Sequence, residues 1–154
     1  MEVLDDFAVI GYVEKSKLDY LTHRSIAFIR FFELINIKQL YLMDELKCDW
    51  LHFPFKSFEK REAIKDIVNQ PAYSDAFKLD IDDLLKILPL FNFSGRNNIP
   101  IIHFFSVDAQ VTLAMFLCDD ANFHTTFFSK DREKIASAAS AAGLKIGGVE
   151  ICRI

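Results

Sequence analysis

Four histidines (His23, His52, His103, His124) and three cysteines (Cys48, Cys118, Cys152) are the side chains of this chain best suited to ligate a metal or act as acid, base or nucleophile. The tightest local pair is Cys48-x-x-x-His52, which falls on one face if residues 46–52 are helical. A zinc site needs at least one further ligand, and neither CxxC nor HExxH occurs. The spacing therefore assigns no metal ligand and no cofactor. Cys118 and His124 flank a turn and can face each other across neighbouring strands. A nucleophilic cysteine must however be a thiolate. The apolar surroundings of Cys118 (AMFLC) favour the neutral thiol, so it reads as structural. His103, between Ile102 and Phe104, reads as a core histidine. Glu45-Leu46-Lys47 matches the minimal Glu-x-Lys of a metal-dependent nuclease core, a string too short to carry weight alone. Phosphate-cradling GxGxxG and GxxxxGK[ST] loops are missing, as is the GxSxG elbow of serine hydrolases. No catalytic residue is assigned, and a non-enzymatic binding protein is the favoured reading.

Charge then becomes the main functional signal. The chain carries 22 acidic and 18 basic residues, a net charge of −4. Residues 1–95 hold 16 acidic and 12 basic side chains and so the whole excess; the remainder is neutral. Such a balance argues against a nucleic-acid partner, which needs a basic surface. Asp75, Asp80, Asp82 and Asp83 form the densest acidic cluster, with Asp44, Glu45 and Asp49 elsewhere in the first part. The plain reading is that Asp80 and Asp83 cap a helix while the others are solvated. The functional reading is a partner-binding face that attracts and occludes a basic protein. That points to a cytoplasmic, immunity-type inhibitor that blocks a basic protein partner such as a nuclease toxin. A second reading rests on sixteen Phe residues. It is a sensor domain that holds a small apolar ligand in a Phe-lined pocket, oriented by His103, Ser106 and Thr125.

Composition sets the frame for both readings. With 154 residues, 51% of them apolar, the chain suits one globular domain. Three widely spaced cysteines suit a reducing compartment, and the acidic start MEVLDDFAVI is unlike a secretory leader. No apolar run approaches the roughly 20 residues of a membrane helix, so no membrane association is expected.

The elements that must position these residues follow from pattern. Ile101–Phe105 and Val111–Cys118 are apolar runs either side of Ser106, Asp108 and Gln110, and predict a central hairpin. Lys17–Ile35 predicts a long helix, with Leu18, Leu21, Ser25, Phe28, Phe32 and Ile35 on its inner face. Asn36 is placed to end it in the left-handed conformation. Phe7–Val13 and Ile37–Met43 are ambiguous between strand and helix. Further helices are expected over Phe58–Asn69, Ile81–Leu88 and Arg132–Ala142, the last stopped by Gly143. Strands are expected over Phe123–Ser129 and Lys145–Ile154, with Gly147-Gly148 as a bulge. The predicted fold is α+β: a mainly antiparallel sheet, built from a C-terminal β-β-β-α-β run (96–154), covered by helices from a mostly helical first part (1–95).

Overall fold

A computed structural model describes residues 2–14, 18–44, 76–91, 102–106, 109–118 and 120–153, with Glu62 and Asp66. The described strands are β1 (Asp6–Gly11), β2 (Gln39–Asp44), β3 (Ala76–Asp80), β4 (Ile102–Ser106), β5 (Leu113–Leu117), β6 (Phe123–Phe127) and β7 (Lys145–Gly147). They form one seven-stranded sheet in the order β3-β2-β4-β5-β6-β1-β7. Every pairing in it is antiparallel. The helices are α1 (Tyr20–Leu34), the single turn α2 (Leu84–Ile87) and α3 (Arg132–Ala141). The protein is thus α+β with an antiparallel sheet.

Alternation along each strand divides the sheet into two faces. Leu40, Leu42, Leu79, Ile102, Phe104, Leu113, Met115, Leu117, Phe123, Phe127, Ala8 and Ile10 point inward and are buried. α1, α2 and α3 pack on that face and share one core with it. Phe123 is the hub: its ring meets Phe28 at 4.7 Å, Phe104 at 5.1 Å and Phe32 at 6.5 Å, each edge-on. These T-shaped contacts are the arrangement that ring quadrupoles favour.

Helix ends explain how the chain turns between layers. Asn36 takes the left-handed φ of 59°, and Ile37 N–H closes back on the Phe32 carbonyl at 2.8 Å, which stops α1 and aims the chain into β2. Gly143 does the same after α3 at φ 78°. Leu18, expected on the inner face of α1, precedes its first turn and is 87% exposed. Arg24 is buried instead, donating from Nη2 to the Leu88 carbonyl at 2.8 Å and lying 5.8 Å from the Tyr20 ring centre. Burial lowers its pKa, since a guinidinium removed from water favours losing charge.

Alongside its helices, the described portion of the first part supplies β1, β2 and β3, and β1 lies between β6 and β7. Two expectations are corrected. The last strand stops at Gly147, and Val149–Arg153 turns into a 3-10 helix. One local and one long-range bond hold it there: Gly148 N–H is captured by the Glu150 carboxylate at 2.7 Å, and Asn122 Nδ2 donates to the Ile151 carbonyl at 3.4 Å. Asp80 makes no side-chain cap to the turn Ile81–Asp83; it accepts a bond from Gln39 Nε2 at 2.9 Å. Of the predicted helix Phe58–Asn69 only Glu62 and Asp66 are described, both helical, and the Asn92–Asn98 loop lies outside the described residues.

The entry to β1 is stapled to the start of α3. Asp5 accepts from the Ser129 backbone N–H at 2.8 Å and its hydroxyl at 2.9 Å, while Asp6 pairs with Arg132. Hydrogen bonds from Ser129 hold the Asp5 carboxyl below its usual pKa, and the Arg132 hydrogen bond does so for Asp6.

Two outcomes follow from this packing. Phe123→Ala, which empties the ring hub, is expected to cost about 3–5 kcal/mol in denaturant unfolding; a loss below about 1 kcal/mol would show that the hub is not central. The staple has a pH signature. Both carboxyl pKa values are lower folded than unfolded, so its contribution is complete above about pH 4 and lost as pH falls through the folded values. Melting temperature should therefore drop less between pH 5 and pH 2 (values on the order of the acid range) in Asp6→Asn than in the wild type. Parallel curves for the two proteins would remove Asp6 from the explanation.

Candidate functional site

The second face of the sheet carries the residues with chemistry. Pairing registers line up Lys78, Tyr41, Phe105, Ala114, Thr126 and Phe7 across one row. The next row runs Met43, His103, Phe116, His124, Val9 and Gly147. Tyr41 and Phe7 are 41% and 43% exposed, and His103, Phe105, Phe116 and His124 are half-buried. His103 lies 6.3 Å from Phe105 in a stacked pair, and His124 stacks on Phe116 at 4.5 Å. His103 is thus an outer-face residue and not a core histidine. Thr125 points to the opposite, inner face, where its hydroxyl reaches the Phe123 carbonyl at 3.4 Å. Ser106 is engaged by the Leu113 N–H at 2.8 Å. The three residues suggested to orient an apolar ligand do not converge.

At one end of the outer face, three ligand-type side chains meet. Cys118 follows β5, His124 lies in β6, and Cys152 comes from the terminal 3-10 turn. His124 Nε2 is 3.2 Å from Cys152 Sγ, and the two sulfurs are 3.7 Å apart. The possible ligand atoms of all three lie within 4.8 Å of one another. The terminal turn reaches this place because glycines leave room. A Cβ on Gly11 would stand 2.3 Å from Asn122 Oδ1 and 2.9 Å from Ile151 Cγ2, and one on Gly147 would stand 2.7 Å from Glu150 Oε1. Below the turn, Val9 is fully buried although it points outward.

Burial sets the electrostatics of this cluster. It pushes the Cys118 thiol up to about 11, against the backbone N–H groups of Asn122 and Asp120, which favour the thiolate. It also lowers the His124 pKa, opposed by the nearby Asp120 carboxylate. Both groups are therefore neutral near pH 7 when nothing else is bound. A thiolate–imidazolium nucleophile requires the reverse charges. The sulfur in contact with the imidazole is that of Cys152, which sequence reasoning did not pair with it; the partners lie 28 residues apart, a separation that carries no local motif.

The acidic cluster is at the other end of the sheet. A cavity of about 400 Å³ opens where α1 ends and β3 turns, lined by Glu33, Asn36, Ile37, Lys38, Asp80, Ile81 and Asp82. Three carboxylates thus face one lysine. The last turn of α1 contains no basic residue, so the negative end of the helix dipole adds to the same field. Asp80 and Asp82 are brought together here, Asp83 stands beside them in the same 3-10 turn, and Asp75 lies outside the described residues. Glu33 was missed because, along α1, it reads only as a solvated position. Asp80 shares the outer side of β3 with Lys78, the residue opposite Tyr41, so Asp80 lies diagonal to Tyr41 across the β2–β3 pair.

Gly11 offers a direct check on how the terminal turn is seated. Gly11→Ala should cost roughly 1–3 kcal/mol, because overpacking forces Asn122 or Ile151 aside. It should also speed amide exchange at residues 149–153; wild-type stability and exchange would show the turn is held by other contacts. Compared with protein-family models, curated proteins and solved structures, the chain matches none.

Proposed function

We propose that the chain is a non-enzymatic binding protein whose acidic corner docks a basic protein, in the manner of an immunity-type inhibitor. The observation that carries this reading is the acidic cavity formed by Glu33, Asp80 and Asp82 where α1 ends. A lysine or arginine of the partner fits the cavity by charge, and a volume of about 400 Å³ is ample for one such side chain. The exposed ring of Tyr41, diagonal to Asp80 across the β2–β3 pair, supplies apolar contact that charge alone lacks, since interface energy concentrates in aromatic anchors. The division of labour is physical. Carboxylates at the rim speed encounter and fix orientation; the ring slows dissociation.

The test is affinity capture from extracts of the source cells on immobilised wild type, beside the triple variant Asp80→Lys, Asp82→Lys, Asp83→Lys. A basic protein retained by the wild type should elute as salt rises. Its association rate with the triple variant should fall by about tenfold or more, as steering is reversed. Tyr41→Ala should act mainly on dissociation. Equal association of the partner with wild type and triple variant would defeat the acidic-corner reading.

A further inference from the structure

We infer that Cys118, His124 and Cys152 form a binding site for a divalent metal ion of the zinc class. The donor set is two sulfurs and one imidazole nitrogen, the mixture that borderline-soft Zn²⁺ takes in preference to the oxygen ligands of Mg²⁺ or Ca²⁺. The spacing fits as well. Bonds of about 2.3 Å at tetrahedral angles place two zinc-bound sulfurs about 3.8 Å apart, and sulfur and nitrogen about 3.5 Å apart. The observed separations are 3.7 Å between the sulfurs and 3.2 Å between His124 Nε2 and Cys152 Sγ. A disulfide needs about 2.05 Å, and both cysteines are free.

The surroundings are arranged for such an ion. The turn between β5 and β6 returns on itself through Ala121 N–H to the Cys118 carbonyl at 2.9 Å, with Ala121 at a φ of 60°. That conformation is unfavourable for alanine, and the turn it produces aims the Asn122 and Asp120 N–H groups at the Cys118 sulfur. Donors of that kind stabilise a metal-bound thiolate. Phe116, stacked on His124 at 4.5 Å, and Phe7, 5.8 Å away, hold the imidazole with Nε2 toward the sulfurs. Among the described residues three side chains supply ligand atoms, leaving one tetrahedral corner for water or an incoming ligand. On binding, two thiol protons pass to solvent and the ion joins the terminal turn to the β5–β6 hairpin.

Cobalt(II) is the probe of choice, added to the full-length protein kept reduced with a phosphine. One equivalent should give a thiolate-to-cobalt charge-transfer band and ligand-field bands of tetrahedral intensity, and zinc should bleach both. Zinc should also protect two of the three thiols from a disulfide reagent and slow amide exchange at residues 149–153. Cys118→Ser and Cys152→Ser should abolish the charge-transfer signal or halve it, and Cys48→Ser should leave it unchanged. His124→Asn should weaken cobalt binding beyond the roughly 10–100-fold that loss of an outer-shell partner costs. If the cysteine variants do not fold, thiol protection in the wild type and the affinity of His124→Asn decide the matter. Three reactive thiols in the presence of zinc, a cobalt spectrum indifferent to His124 and Cys118, or a Cys118–Cys152 disulfide as the stable form would each overturn the assignment.

Discussion

The contact on which the structure depends is Phe123 set among Phe28, Phe32 and Phe104. It joins the long helix to the middle of the sheet, and it fixes the register of β6 by holding one residue of that strand inward. Once Phe123 faces in, alternation sends His124 out. The same rule applied to Leu117 and Phe104 sends Phe116, Cys118, His103 and Phe105 to the outer face. A slip of one residue in β6 would turn His124 into the aromatic core and Phe123 to the outside, so register is enforced by burial. The chemistry of the outer face is thus a consequence of how the inner face packs.

A second constraint is order of assembly in space. β1 pairs with β6 on one side and β7 on the other, so the first strand of the chain needs the last two described strands to be in place. Only then can the terminal turn settle over Val9 and Gly11 and bring Cys152 to His124. Such non-local closure carries a loop-entropy cost that short-range contacts do not. The Asp5–Ser129 and Asp6–Arg132 bonds act at the same seam, holding the entry of β1 against the start of α3.

This explains what was legible in the sequence. The hairpin β4–β5, the body of α1 with its Asn36 stop, and α3 with its Gly143 stop are written in local periodicity and in residues with special backbone freedom. The burial of Arg24 was not legible, because its partner is the Leu88 carbonyl, 64 residues away. Nor was the 3-10 turn at the end: Gly147-Gly148 reads as a bulge unless one knows that Glu150 folds back onto Gly148. The site divides in the same way. Asp80, Asp82 and Asp83 were visible as a run of like residues, whereas Glu33 joins them only through the fold. Cys118 and His124 were close enough in sequence to be weighed together, but the turn that adds Cys152 lies beyond β1, α3 and β7 in the architecture. Local patterns name elements; they do not name what meets across the sheet.

Of the acidic corner, Asp80 shares the outer face with the Cys–His cluster, and their separation matters for how that face can be used. The corner lies at β3 and the cluster at β6, four strand spacings or about 19 Å across the sheet, with Asp80 and His124 also two outer-face rows apart along the strands. A standard interface covers about 800 Å² per partner, a patch roughly 30 Å across. If a protein docks by a basic side chain at Asp80, a patch of that size laid over the outer face covers Tyr41 and Phe105 and extends toward Phe116, the ring stacked on His124. A metal ion that fixes His124 and the terminal turn also fixes the far edge of that footprint, lowering the ordering cost of binding there. Ion and partner would then be linked through Phe116 without touching each other. By reciprocity of linkage, a partner that prefers the ordered edge must also tighten the ion.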